Sequence, residues 1–109
     1  MQREHQVRQG LLAVEALLKN HALWQSEAPA AAAFESEQPF FLDTMQPLEW
    51  LQWVLIPRMH ALLDAAAALP QNFAIAPYYE VALAAETPGR RELLLHLASL
   101  DALFTVTDR

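Results

Sequence analysis

"FFLDTMQPLEWLQWVLIPRMHALL", residues Phe40–Leu63, places two tryptophans three positions apart and a proline inside an otherwise helical apolar run. Leu48, Trp50, Leu51, Trp53, Val54, Leu55 and Ile56 cover nearly the whole circumference of a helix, which only a helix surrounded on all sides tolerates. The spacing therefore predicts a central helix. Thr44 is its expected N-cap, with Pro47 at the third helical position, where the missing N–H costs no intrahelical bond. The pattern continues through Met59 and Leu63 to Ala68, and Pro70 closes it. Pro57 cannot donate to the Trp53 carbonyl and its ring crowds that group, at a cost of about 3 kcal/mol, so a kink is expected there. Two buried tryptophans at ~150 to 250 Å² each contribute up to roughly 4 to 6 kcal/mol apiece, so packing outweighs the proline and the run reads as core.

Upstream, Val7, Leu11, Val14, Leu18 and Ala22 form one apolar stripe, predicting an amphipathic helix from Arg3 to about Trp24, with Glu4–Arg8 and Glu15–Lys19 pairing on its outer surface. Between the two helices lies the connector "SEAPAAAAFESEQPFFLD", residues 26–43, with two prolines and four acids. Its four large apolar residues, Phe34, Phe40, Phe41 and Leu42, predict a strap packed on the bundle, because exposing them forgoes several kcal/mol of burial. Downstream, Pro77 opens a third helix of about ten residues holding Tyr79, Val81, Leu83 and Ala84. Thr87 as cap and Pro88 as first residue open a fourth, with a stripe at Leu93, Leu97, Leu100 and Phe104. The third helix, at ~15 Å, is too short to cover the central one alone. If the connector lifts, a Trp-lined groove opens beneath it. No sustained period-two alternation predicts a sheet.

A chain of 109 residues makes one domain, 1–109, and 54 % apolar content suits a packed globule. With no cysteine there is no disulfide framework, thiolate nucleophile or Cys-ligated zinc. Neither a signal peptide nor an uncharged apolar span is legible, so a soluble cytoplasmic protein is expected. The net charge of −6 is concentrated in residues 26–47, which carry −4, and seven scattered basic residues disfavour direct binding to nucleic acid.

His5, His21, His60 and His96 lack metal-ligand spacing, and no metal or cofactor is expected. His60–Asp64 and Glu92–His96 read as structural i, i+4 pairs. Arg58, inside the apolar run, calls for an acidic partner among Asp43, Glu49 and Glu80, or a path to water. Tyr78 and Tyr79 point in different directions, one to the core and one to the surface. "TPGRR" joins a helix start to two arginines and is a weak anion signal. Two glycines build no phosphate loop, and no nucleophile elbow is present, so no catalytic residue is assigned. The candidate binding residues are Asp43, Trp50, Trp53, Arg58, Tyr78 and Tyr79.

"QPFFLDTMQPLEWLQWVLIPRMHALLD", "FAIAPYYEVALA", "EALLKNHALW" and "LDALF" together resemble the YqcC-like family across essentially the whole chain. Members look like left-twisted four-helix bundles, and the family is associated with tRNA pseudouridine synthase C. Such synthases carry a catalytic aspartate in an Arg-Leu-Asp context on a larger mixed fold with a basic RNA cleft. Here Asp101 follows Ser99 and Leu100 on what reads as a solvated turn. The resemblance thus implies a non-catalytic accessory that meets the synthase as a protein partner through its acidic connector. The alternative is a small-ligand binder using the groove beneath the connector, around Trp53, Arg58 and Tyr79. The expected architecture is all-α: a single-domain, up-and-down four-helix bundle with a kinked central second helix.

Overall fold

The computed structural model describes residues 2–69 and 74–104, which contain helices and no strand. Helix α1 spans Gln2–Asn20. Helix α2 covers residues 47–64 in three contiguous pieces: Pro47–Trp50, a π-helical turn Leu51–Leu55, and Ile56–Asp64. Helix α3 spans Ala76–Ala82 and α4 spans Arg90–Phe104. Two short 3-10 turns, Ala31–Glu35 and Pro39–Phe41, punctuate the connector.

Both apolar stripes are buried as their spacing requires. Val7, Leu11, Val14 and Leu18 of α1 join Leu93, Leu97, Leu100 and Phe104 of α4 in one core. Gly10 lets these helices approach closely, since a Cβ there would stand 2.6 Å from Leu100 Cδ2. Leu51, Leu55, Ile56 and Met59 of α2 and Tyr79 of α3 complete the core. At the π-turn, Leu51, Gln52, Val54, Leu55 and Ile56 are all buried, so α2 is enclosed on most sides there.

Several boundaries differ from the sequence reading, each for a local reason. Helix α1 stops at Asn20 rather than near Trp24. Ala22 adopts φ 59°, and the Ala22 and Leu23 amides turn back to the Lys19 and Leu18 carbonyls at 3.2 and 2.8 Å. Ala22 therefore leaves the stripe and is exposed. Helix α2 opens with Pro47 as its first residue, where a fixed φ is already helical. Gln46, not Thr44, precedes it, and the Glu49 carboxylate accepts the Gln46 N–H at 2.8 Å. Thr44 instead donates to the Ala33 carbonyl at 2.8 Å, tying the connector to itself. The same helix ends at Asp64 rather than Ala68, with Ala66 at φ 54° and the Ala67 amide bonded to Leu62. Pro70, read as its terminator, lies outside the described residues.

Helix α3 has seven residues rather than ten, since Leu83 is already extended. Val81 is 87 % exposed, while Leu83 is buried just past the helix. Helix α4 begins at Arg90 rather than Pro88: the Thr87 carbonyl accepts the Arg90 amide at 3.1 Å, and Gly89 supplies φ 71°. At Pro57, where a kink is expected, the helix carries a π-turn just ahead of the ring. The Ile56 N–H reaches back five residues to Leu51, so the hydrogen-bond ladder has slipped by one before the proline arrives.

Candidate functional site

The six candidate residues do not form one site. Phe40 of the connector gathers three aromatics: it stacks on Tyr78 at 3.9 Å between centroids, meets Trp50 edge-on at 4.9 Å and Tyr79 edge-on at 6.4 Å. The space that a ligand would take beneath the connector is thus filled by the chain's own ring. Phe40 and its neighbour Phe41 hold that position at φ 58° and 50°, a left-handed backbone unusual for bulky residues. The expected strap is only half made, because Phe34 and Leu42 are exposed, Leu42 at 59 %.

Tyr79 is fully buried and donates its hydroxyl to the Pro47 carbonyl at 2.6 Å, while Tyr78 is half-buried, so the two divide between core and surface as expected. Burial pushes the Tyr79 hydroxyl pKa well above its ordinary value, with Tyr78 adding to the effect, and burial also raises Tyr78. Asp43 accepts the Ser36 hydroxyl at 2.5 Å and stays in the connector. Arg58 takes none of the three acids proposed for it. Its side chain is exposed, and the guanidinium lies 5.7 Å from the Phe41 ring centroid.

Trp53 belongs to a different place. Its indole N–H donates to Gln25 Oε1 at 2.9 Å, in the segment that follows α1. That segment is clamped to α2 by a reciprocal pair, in which Gln52 Oε1 accepts the Gln25 amide and Gln52 Nε2 donates to the Gln25 carbonyl, both at 2.8 Å. Gln52 is the buried polar residue of the core, and this pairing satisfies both ends of its amide. Glu15, Trp24, Trp53, Ile56, Pro57 and His60 line the resulting open groove of about 580 Å³. The signal missed in the sequence was Gln52, a polar residue where the apolar pattern of the helix calls for a hydrophobic one.

The charged pairs also differ from the sequence reading. Glu15–Lys19 forms at 2.7 Å. Arg8, however, crosses from α1 to α2, donating to Asp64 at 2.8 Å and meeting His60 Nδ1 at 3.1 Å, instead of pairing with Glu4. Glu92 lies 3.7 Å from His21 Nε2 rather than pairing along its helix with His96. Arg90 of "TPGRR" is committed to the end of α3, donating to the Leu83 and Glu80 carbonyls at 3.3 and 2.6 Å, and so is not a free anion ligand. Asp101 is not on a solvated turn. Its carboxylate accepts the Ile75 amide at 2.9 Å and the Ala76 amide at 2.8 Å, capping α3. Among the described residues no three His, Asp or Glu side chains converge on a metal position, and no helix is long and apolar enough to cross a membrane.

A family model described as tRNA pseudouridine synthase C matches residues 6–103. The protein YqcC of Escherichia coli strain K12, itself uncharacterised, is 59 % identical over 98 residues that cover 90 % of each chain. The chain belongs to the YqcC-like family. An uncharacterised Haemophilus influenzae protein is 46 % identical over 91 % of this chain and 92 % of its own. A solution NMR structure of Escherichia coli YqcC superposes with a TM-score of 0.85 at 53 % identity, covering 100 % of this chain and 96 % of that one. The YqcC-like sequence also occurs inside a larger protein. A Pectobacterium carotovorum tRNA pseudouridine synthase C is 48 % identical over 84 % of this chain, but the match spans 23 % of that protein.

Proposed function

We propose that this YqcC-like chain is a non-catalytic accessory of tRNA pseudouridine synthase C, binding the enzyme as a protein rather than acting on RNA. The observation that carries the reading is the Pectobacterium protein, in which a segment similar to this chain is covalently joined to a larger remainder under the synthase's name. A domain that works in cis in one protein works in trans in another when the two surfaces bind. Two features of this chain support the assignment. Both oxygens of Asp101, the aspartate in the position nearest to a synthase-like motif, are occupied by backbone N–H groups. The connector carries Glu27, Glu35, Glu37 and Asp43 beside the exposed Phe34 and Leu42, a combination of charge and apolar surface suited to a basic protein face. On this reading residues 1–109 act as one up-and-down bundle, with α2 bent at Pro57 and the connector presented on its side.

A tagged pull-down from native lysate, with and without RNase and read by mass spectrometry, tests the proposal. Stoichiometric recovery of the synthase that survives RNase is the expected result. Its absence, or its loss with RNase, refutes the reading. A second reading has one observation in its favour: the left-handed backbone at Phe40 and Phe41 favours release of the Phe40 ring, which would open the Trp50–Tyr78 site to a small aromatic or apolar ligand. A change in Trp fluorescence with such a ligand, abolished by Trp50→Phe, distinguishes it from the adaptor.

A further inference from the structure

We infer that the Trp24–Trp53 groove receives the guanidinium of an arginine presented by a protein partner. The inference rests on the accessory reading only for the source of that arginine. The groove is built in advance: Gln25 fixes the Trp53 indole, and the Gln52 clamp holds the Trp24–Ser26 wall against α2.

One of its lining residues, Gln52, carries an acceptor that a regular helix would not leave without a donor. The α-helical donor for the Gln52 carbonyl is the Ile56 N–H, which the π-turn diverts to Leu51, and the donor five residues on would be Pro57, which has no N–H. The carbonyl thus has neither helical donor, at the point where Gln52, Trp53, Ile56 and Pro57 line the groove. Glu15 adds a carboxylate to the lining, and no lysine or arginine is among the lining residues.

The chain already shows the chemistry of this wall. Lys19 holds its ammonium 2.7 Å from Glu15 and 5.2 Å from the Trp24 ring centroid, while its side chain remains 53 % exposed. It is an internal cation that an incoming one can displace. Arginine fits better than lysine, because a planar, weakly hydrated guanidinium stacks on indole faces and has donors for the carbonyl and the carboxylate together. A phosphate would face Glu15 and a net charge of −6. An apolar side chain would offer the Gln52 carbonyl no donor and could not replace Lys19 on the Glu15 carboxylate.

The test titrates the full chain with acetyl-Ala-Arg-Ala-amide and with its neutral citrulline counterpart, following the three indole N–H resonances by NMR. The arginine peptide should move the Trp24 and Trp53 signals and leave Trp50 in place, and the citrulline peptide should move none. Glu15→Gln should weaken binding about fivefold and Lys19→Gln should strengthen it. An equal response to citrulline, movement of Trp50 alone, or no movement up to about 10 mM peptide overturns the inference. Combined with the pull-down, the two proposals separate. Synthase captured equally by wild type and Glu15→Gln, with a blank peptide titration, overturns the groove and keeps the accessory reading. Peptide binding without synthase capture does the reverse.

Discussion

Removing the Asp101 carboxylate should destabilise the protein strongly, because this residue of α4 caps the start of α3. In the native chain it accepts two consecutive backbone N–H groups at the start of α3, the Ile75 amide at 2.9 Å to both oxygens and the Ala76 amide at 2.8 Å. A hydrogen bond to a charged group contributes about 1.5 to 3 kcal/mol, and loss of an N-cap costs about 0.5 to 2 kcal/mol. Asp101→Ala removes the acceptor from both amides in a part-buried setting, so the expected loss is about 3 kcal/mol. Asp101→Asn keeps one neutral acceptor and should cost about 1 kcal/mol. For a chain of this size about 1 kcal/mol corresponds to 4 to 8 °C, so Tm should fall by about 12 to 24 °C for alanine and by about a third of that for asparagine. Urea and thermal unfolding followed by far-UV circular dichroism measure both values. An alanine variant within about 1 kcal/mol of wild type, or alanine and asparagine variants of equal stability, refutes the capping argument.

Three further outcomes follow from the packing. Tyr79→Phe should cost about 1 kcal/mol at neutral pH through the lost bond to Pro47. It should also flatten the alkaline limb of the stability curve. Burial raises the folded-state pKa of Tyr79 above its unfolded value of 10.0, so the wild type keeps its full stability below pH 10 and loses it as the pH rises further and the unfolded tyrosine ionises. Urea midpoints measured from pH 8 to 11.5 should keep a constant gap in favour of the wild type up to about pH 10 and converge above it. Gly10→Ala should destabilise by about 1 to 2 kcal/mol despite alanine's better helix propensity, since its Cβ would stand 2.6 Å from buried Leu100. A stabilised variant in a urea melt contradicts that close approach. Pro57→Ala should recover well under the ~3 kcal/mol that proline costs inside a regular α-helix, because the π-turn has already taken up the ladder defect. A gain near that full value means the turn does not relieve the ring.

The apolar stripes of α1 and α4 were legible because each is a local three-and-four repeat, and burial followed it at Val7, Leu11, Leu97 and Phe104 alike. Pro47 marked the start of α2 to within two residues, and the Tyr78–Tyr79 split came from adjacency on one helix. What stayed hidden depends on partners far along the chain. Asp101 finds its amides about 25 residues upstream, and Gln52 finds its backbone partner in the segment after α1, distances over which no local spacing carries information. Trp50 and Trp53 looked like one site because at 3.6 residues per turn they stand about 60° apart. The π-turn between them widens that angle, and the two rings serve different surfaces. For Arg58 the sequence leaves open an acid or a path to water, and the structure takes the second: the residue is exposed next to Pro57, with its guanidinium over Phe41.

Helix α3 is held at both ends by residues of α4, with Asp101 on its first amides and Arg90 on its last carbonyls. Seven residues are too few for a helix to persist alone in water, where ~12 to 15 is the margin. Its backbone therefore has no opening equilibrium of its own. During refolding, amide protection in α3 should arrive only once α4 is formed, and in the native state the two should exchange with deuterium as one cooperative unit.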